Sequence, residues 1–249
     1  MSPDISGGAP AELSPLDEAR FGIKTARART VNEQNLPAVL DFCEANQVKF
    51  LIARCPTTDI SAVHAVESAG FLLMDTLLYL RYNLKEQPIP PNLSDVRVRA
   101  VRPDEVDQVG ALAHSAFENF SGHYHADPRL DRRESTEVYV SWARRCCLEP
   151  SAASLVLVAE AEGQLVGFRA LRVNSDTQGE FILAGVNPDY QRRGIYRAFI
   201  VEGLKWFLDR GMEEVLNSTH VANVAVQRAC FRVGFAPAYS WYTFHKWFD

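Results

Sequence analysis

The sequence lacks a basic excess. Across 249 residues, 26 Lys and Arg stand against 31 Asp and Glu, for a net charge of −5. No basic stripe stands out that would neutralise a phosphate backbone, so no nucleic-acid partner is expected. No apolar run approaches the ~18 residues of a membrane span, so no membrane partner is expected either. The opening "MSPDISGGAPAELSPLDEAR" has no basic-then-apolar leader, and the expected compartment is the cytoplasm. Cys43, Cys55, Cys146, Cys147 and Cys230 make an odd count with no C-x-x-C spacing, which reads as reduced thiols. Neither G-x-x-x-x-G-K-[ST] nor a G-x-G-x-x-G after a strand occurs, which sets aside P-loop and dinucleotide sites.

What is present is a globular composition, 47% hydrophobic and 23% charged. Three prolines in "KEQPIPPNLSD", residues 85–95, mark a linker. It divides a first lobe, residues 19–84, from a second domain, residues 96–249, and residues 1–18 are expected as a frayed tail. In the first lobe "RFGIKTARA" predicts a strand, Pro37 opens a helix to Asn46, and "VKFLIAR" predicts a strand. A helix from near Asp59 to Gly70 and a long strand, "FLLMDTLLYLRYNL", follow. The second domain reads β-α-α-β-β-β-α-β-α-β. Its penultimate helix carries Ile200, Leu204, Phe207 and Leu208 on one face. "HAVESAGF" at 64–71 echoes "RACFRVGF" at 228–235, which suggests two related lobes or a chance match of a common helix ending.

Between two apolar runs sits "GVNPDYQRRGIY", residues 185–196. A strand ending at Val186 and a helix starting near Arg192 leave backbone N–H groups without intrahelical partners, at the positive end of the helix dipole. Gly194 lets an anion approach the backbone, and Arg192 and Arg193 add charge. The turn is either an anion pocket or a solvated helix start.

These residues resemble a known family. "V-N-P-D-Y-Q-R-R-G-I-Y" is similar to the acyl-CoA pyrophosphate loop of the GNAT superfamily of N-acyltransferases, whose core is Q/R-x-x-G-x-G/A. "N-V-A-V-Q-R-A-C-F-R-V-G-F" resembles the family's N-x-x-A-x-x-L-Y-x-x-x-G-F. The likeness covers about residues 96–249. The first lobe, with "VESAGFLLMDTLLYLRYNL", resembles the extra lobe of the dTDP-fucosamine acetyltransferase family. The resemblance implies an α/β class with a mixed sheet, the GNAT acyl-CoA transferase fold preceded by a degenerate GNAT-like lobe. It implies acetyl-CoA as co-substrate, no metal, and a small-molecule primary amine as acceptor, with an amino sugar on a nucleotide as one candidate and a homodimer as one assembly. Two alternatives stay open: an acyl-CoA-binding module without turnover, and a protein or peptide N-acetyltransferase.

Carried over, Val186 pairs its backbone with the pantetheine arm, and Gln191, Arg192, Arg193, Gly194, Ile195 and Tyr196 wrap the pyrophosphate. Asn223 contacts the arm near the thiol. Two residues depart from the pattern: Tyr196 stands where Gly or Ala is usual, and Cys230 where Tyr is usual. Cys230 is a replacement acid, a nucleophile or a small buried residue; in the last case Tyr239, Tyr242 or water supplies the acid. Glu180 and His220 are candidate bases. In "FENFSGHYHADPR" the family likeness gives His123, Tyr124 and His125 an acceptor-binding role, against a plain surface loop; H-x-H without a third ligand is not read as zinc.

Overall fold

The computed structural model describes residues 9–248. The chain opens with β1 (Glu12–Leu13), α1 (Pro15–Phe21), β2 (Thr25–Ala28), α2 (Leu36–Ala45), β3 (Phe50–Pro56), α3 (Ile60–Ser68) and β4 (Leu72–Asn83). Next come β5 (Arg97–Ala100), α4 (Val106–Phe117), the single turn α5 (His123–Ala126) and α6 (Arg132–Leu148). Strands β6 (Leu155–Ala161), β7 (Gln164–Val173) and β8 (Gln178–Val186) follow, then α7 (Ile195–Leu208), β9 (Glu214–His220), α8 (Val224–Val233) and β10 (Ala236–Trp247).

The start of the chain departs from expectation. Residues 1–8 of the expected tail lie outside the described residues, but residues 9–18 are not frayed. Pro15 sits in the first turn of α1, and Asp17, 1% exposed, accepts hydrogen bonds from Ser14 Oγ (2.6 Å) and Arg27 Nε (2.7 Å). The strand expected over "RFGIKTARA" shortens to Thr25–Ala28, because Arg20 and Phe21 complete α1 and Gly22 ends it in the left-handed region (φ 65°).

The chain forms two compact units whose bounds do not follow the linker. The first runs up to Leu78 and adds Ser121–Glu134 and the chain from Tyr239 on; the second is Tyr79–Phe120 with Ser135–Ala238. Residues 85–95 belong to the second unit and are bonded into it. Tyr82 Oη donates to the Pro88 carbonyl (2.9 Å) and Asn92 Nδ2 to Glu202 Oε1 (3.1 Å).

In the first unit the strand order is β1-β2-β3-β10. β2 and β3 run parallel, and β10 pairs antiparallel with β3 from Trp241↔Pro56 to Trp247↔Phe50. Side chains alternate across the sheet. Ala26, Leu51, Ala53, Cys55 and Phe244 form an apolar core with Val39, Cys43, Ala62 and Val66 of α2 and α3. Arg27, Arg54, Thr243 and His245 lie on the opposite face.

In the second unit the order is β9-β8-β7-β6-β5, antiparallel except for the parallel pair β8/β9. α4 and α6 cover one face through Val109, Ala113, Val140 and Ala143 against Val158, Phe168 and Ala170. α7 packs closely on the other: a Cβ on Gly203 would lie 2.3 Å from the Phe181 ring. In sequence, β2-α2-β3-α3-β4 repeats the order β8-α7-β9-α8-β10, and α3 and α8 each run into a left-handed glycine, Gly70 (φ 79°) and Gly234 (φ 115°).

Candidate active site

β8 and β9 pair only from Gln178↔Glu214 to Phe181↔Asn217, although β8 runs on to Val186 and β9 to His220. The two strands part beyond Phe181. On its other edge β8 stays paired with β7 as far as Gly167↔Val186. The Asn187 N–H donates to the Val166 carbonyl (2.9 Å), so the adjacent pair Gly167↔Val186 is of the non-hydrogen-bonded kind. The N–H and C=O of Val186 therefore point away from β7, and by the same alternation so do those of Ala184. They face the gap that β9 has left, where an extended amide-bearing chain can add as a strand.

The turn after β8 leads to the open start of α7. Asn187 Oδ1 accepts from the Asp189 N–H (3.0 Å), and the Tyr190 N–H donates to the Asn187 carbonyl (2.9 Å). Arg192 (φ 64°) and Gly194 (φ 80°) are both left-handed, and Gly194 caps α7 with no side-chain bond. For arginine that conformation is strained, a cost of about 1 kcal/mol met at sites where backbone groups are aimed at a ligand. The helix begins at Ile195, later than Arg192, because the left-handed residues delay it. Ile195 is buried and anchors the turn, so the first N–H groups of α7, with no carbonyl a turn behind them, point outward at the positive end of the dipole. Arg192 and Arg193 are exposed beside them; Arg193 lies over the Tyr190 ring (4.7 Å) and pairs with Glu162 (3.2 Å).

Residues 114–235 match the Acetyltransferase (GNAT) family. They form a GNAT acetyltransferase domain. The chain is 22% identical over 209 residues to the spore coat polysaccharide biosynthesis protein SpsD of Bacillus subtilis, covering 82% of this chain and 68% of that one. It is 32% identical over 94 residues to the mycothiol acetyltransferase of Nocardia farcinica, covering 36% of this chain and 31% of that one. The chain thus spans about two thirds of one of these relatives and under a third of the other. In fold it resembles a GCN5-related N-acetyltransferase from Sphaerobacter thermophilus, with a TM-score of 0.65 at 16% identity, covering 95% of this chain and 76% of that one.

Within the GNAT domain the turn residues stand together, but two side chains turn inward. Arg169 of β7, 2% exposed, donates from one guanidinium nitrogen to Tyr196 Oη (2.7 Å) and from the other to Asn217 Oδ1. Its guanidinium lies 4.3 Å from the Phe181 ring centre and 5.0 Å from that of Tyr196. The Tyr196 ring therefore faces the interior, and only its backbone N–H remains for the turn. Asn217 Nδ2 donates to Cys230 Sγ (3.3 Å). Cys230 is fully buried, and burial pushes its thiol up to about 11 against the pull of Arg169 and Tyr196. Of the three readings, this enclosure favours the small buried residue.

Glu180 sits just before the strands part, 7% exposed, and accepts from Arg172 (2.5 Å) and Asn174 Nδ2 (3.0 Å). His220 lies past the last β8/β9 pair, with Nδ1 accepting from the Ala222 N–H (3.2 Å) and Nε2 on its far side. Asn223 caps α8 by accepting from the Val226 N–H (3.3 Å), and Gln191 Nε2 donates to the Val186 carbonyl (3.5 Å).

His123, Tyr124, His125 and Tyr239 belong to the first unit. Tyr124 offers no open ring. It is 3% exposed, and its hydroxyl donates to Asp17 Oδ1 (2.9 Å) while accepting from Arg27. His123 Nδ1 lies 2.9 Å from His245 Nε2, and half-buried His125 has its imidazole pKa lowered by burial and by Arg132. Tyr242, half-buried, packs against the apolar core beside Phe244. Arg169, His245 and the Ala184 backbone have no motif that marks them in the sequence.

Proposed function

We propose that the GNAT domain takes acetyl-CoA as its acyl donor and transfers the acetyl group to a primary amine of a small molecule, an amino sugar carried on a nucleotide. The parting of β8 from β9 beside an uncapped, left-handed helix start carries this reading. Bound there, acetyl-CoA would supply the activated thioester. The residues fit it: Val186 and Ala184 offer backbone groups to the amides of the pantetheine arm, and the N–H groups from Arg193 to Tyr196 meet the diphosphate, with Arg192 and Arg193 adding charge. The Nδ2 of Asn223 stays free for the arm. Glu180 is the proton acceptor on the parting strands; His220, whose Nδ1 accepts the Ala222 N–H, carries its proton on Nε2 and donates from there. The name of SpsD, with its polysaccharide role, supports a sugar acceptor, and the mycothiol acetyltransferases support acetyl transfer. The test is free-thiol release from acetyl-CoA with nucleotide-linked 4-amino sugars, polyamines and N-terminal peptides. Turnover on the sugars is expected. Turnover confined to peptides or polyamines rejects the sugar acceptor, and no acetyl-CoA binding by calorimetry rejects the donor.

A further inference from the structure

The polar face of the first unit's sheet carries a hydrogen-bonded chain of three side chains. Asp127, 3% exposed, accepts from His245 Nδ1 (2.7 Å), Trp247 Nε1 (2.9 Å) and the Arg129 N–H (3.0 Å). Burial opposes its ionisation, but these three bonds outweigh burial and hold the carboxyl below its ordinary value. An ionised carboxylate only accepts, so His245 Nδ1 carries the proton of that bond. Burial lowers the imidazole pKa of His245 although Asp127 pulls the other way, so the ring is neutral and its Nε2 is an acceptor. His123 Nδ1, 2.9 Å from that nitrogen, must then donate. The second nitrogen of His123, Nε2, is left with its lone pair. Burial, His245 and Arg54 keep His123 well below its ordinary value, so the lone pair is available at neutral pH.

Asp75 and Thr243, on the same unit, each bury a polar atom with no partner in the fold. Asp75, 7% exposed, has an unpartnered Oδ1, and fully buried Thr243 has an unpartnered Oγ1. A buried carboxyl oxygen without a donor is costly, and a ligand's donor removes that cost. Asp75 is near enough to His245 to raise its proton affinity. Thr243 lies across from Arg54, which is half-buried. The other charges facing His123 are Arg27, which is paired with Asp17, and His125 when protonated. The vacant partnerships are thus one for an ammonium, one for a hydroxyl and one for an anion.

We infer that this face binds an amino sugar phosphate: Asp75 is the counter-charge of its ammonium, Arg54 meets its phosphate, and His123 Nε2 accepts a hydrogen bond from the ammonium, with His245 and Asp127 as positioning residues that fix His123 in the required tautomer. The site rests on the acetyl-transfer reading only for the use of the amine it holds.

Side-chain nitrogen NMR of the whole chain tests the tautomer without any ligand. His123 and His245 are both expected protonated on Nδ1; a proton on Nε2 of His123 overturns the inference. D-glucosamine 1-phosphate is then titrated against its N-acetylated form, which has no ammonium. The first is expected to move the His123 Nε2 signal and the second is not; equal shifts, or none, overturn the site. Asp75→Asn should weaken the response at least tenfold, read on a variant shown folded by its backbone spectrum. A full response in Asp75→Asn overturns the inference. Asp127→Asn should release the His123 tautomer, and an unchanged His123 spectrum in a folded variant also overturns it. Acetyl-CoA calorimetry runs alongside: loss of that binding with the ammonium response intact overturns the acetyl-transfer reading and leaves this site standing.

Discussion

Two turns in this chain join a strand to a helix over similar lengths, residues 29–35 between β2 and α2 and residues 187–194 between β8 and α7. They treat their amides in opposite ways. In the first, Asn32 Oδ1 accepts from the N–H groups of Gln34 (3.0 Å) and Asn35 (2.9 Å), and Asn35 Oδ1 accepts from the Asn32 N–H (2.9 Å). The Leu36 N–H reaches the Asn32 carbonyl (3.0 Å), and Pro37 has no N–H to satisfy. That turn closes on itself. In the second, two left-handed residues hold the start of α7 open, with no side chain capping it. Similar connectivity thus gives a sealed corner in one place and an anion-accepting corner in the other. The difference lies in two asparagines against one glycine and its preceding arginines.

The comparison breaks most directly at Gly194. Gly194→Glu places bulk and negative charge where a diphosphate needs the backbone, and acetyl-CoA affinity should fall on the order of a hundredfold or more. Calorimetry on the folded variant measures it; unchanged affinity sinks the anion-site assignment.

Next in size is the buried cation beneath the parted strands. Arg169→Leu strands the Tyr196 hydroxyl and Asn217, and should cost about 3 kcal/mol in urea unfolding. A cost under about 1 kcal/mol would mean that Arg169 does not hold this interior together.

Cys230→Ser puts a hydroxyl in a fully buried place and should cost about 1–2 kcal/mol of stability, with turnover within about threefold of the parent. A drop in turnover far beyond that, with cofactor binding intact, would restore a chemical role for the thiol.

The smallest effect sharpens the contrast from the other side. Asn32→Ala opens the sealed corner and should lower stability by about 1 kcal/mol. Acetyl-CoA affinity, measured in the same way as for Gly194→Glu, should not change, since the opened amides lack the left-handed pair and the arginines.

Much of the second corner was legible. Gly194 within a short polar stretch between apolar runs announces a backbone requirement, and Asn223 with Gly234 brackets α8 as cap and stop signals do. α1 had a signal that went unused: Ser14, Pro15, Asp17 and Glu18 are a helix-start combination lying inside a stretch assigned to the tail. Arg169 was not legible, because one arginine in "VGFRALRV" looks the same whether it meets water or crosses beneath a neighbouring strand to Asn217. The partners of His123 were hidden for a related reason. His245 sits on β10, and strand pairing between distant segments is set by tertiary register, which local periodicity does not encode. The same limit explains why the prolines of 85–95 suggested a boundary that the contacts do not respect.

The pairing of β10 with β3 also fixes an order of events during synthesis. Strand β3 emerges early, yet its partner from Trp241 to Trp247 emerges last, after every residue of the second unit. Translation delivers about 5–20 residues per second, so the β3 edge stays open for many seconds while the later sequence is made. Such an edge is a template for the wrong strand, and pairing over so long a separation is slow. The first unit is therefore the later of the two to gain all its strands.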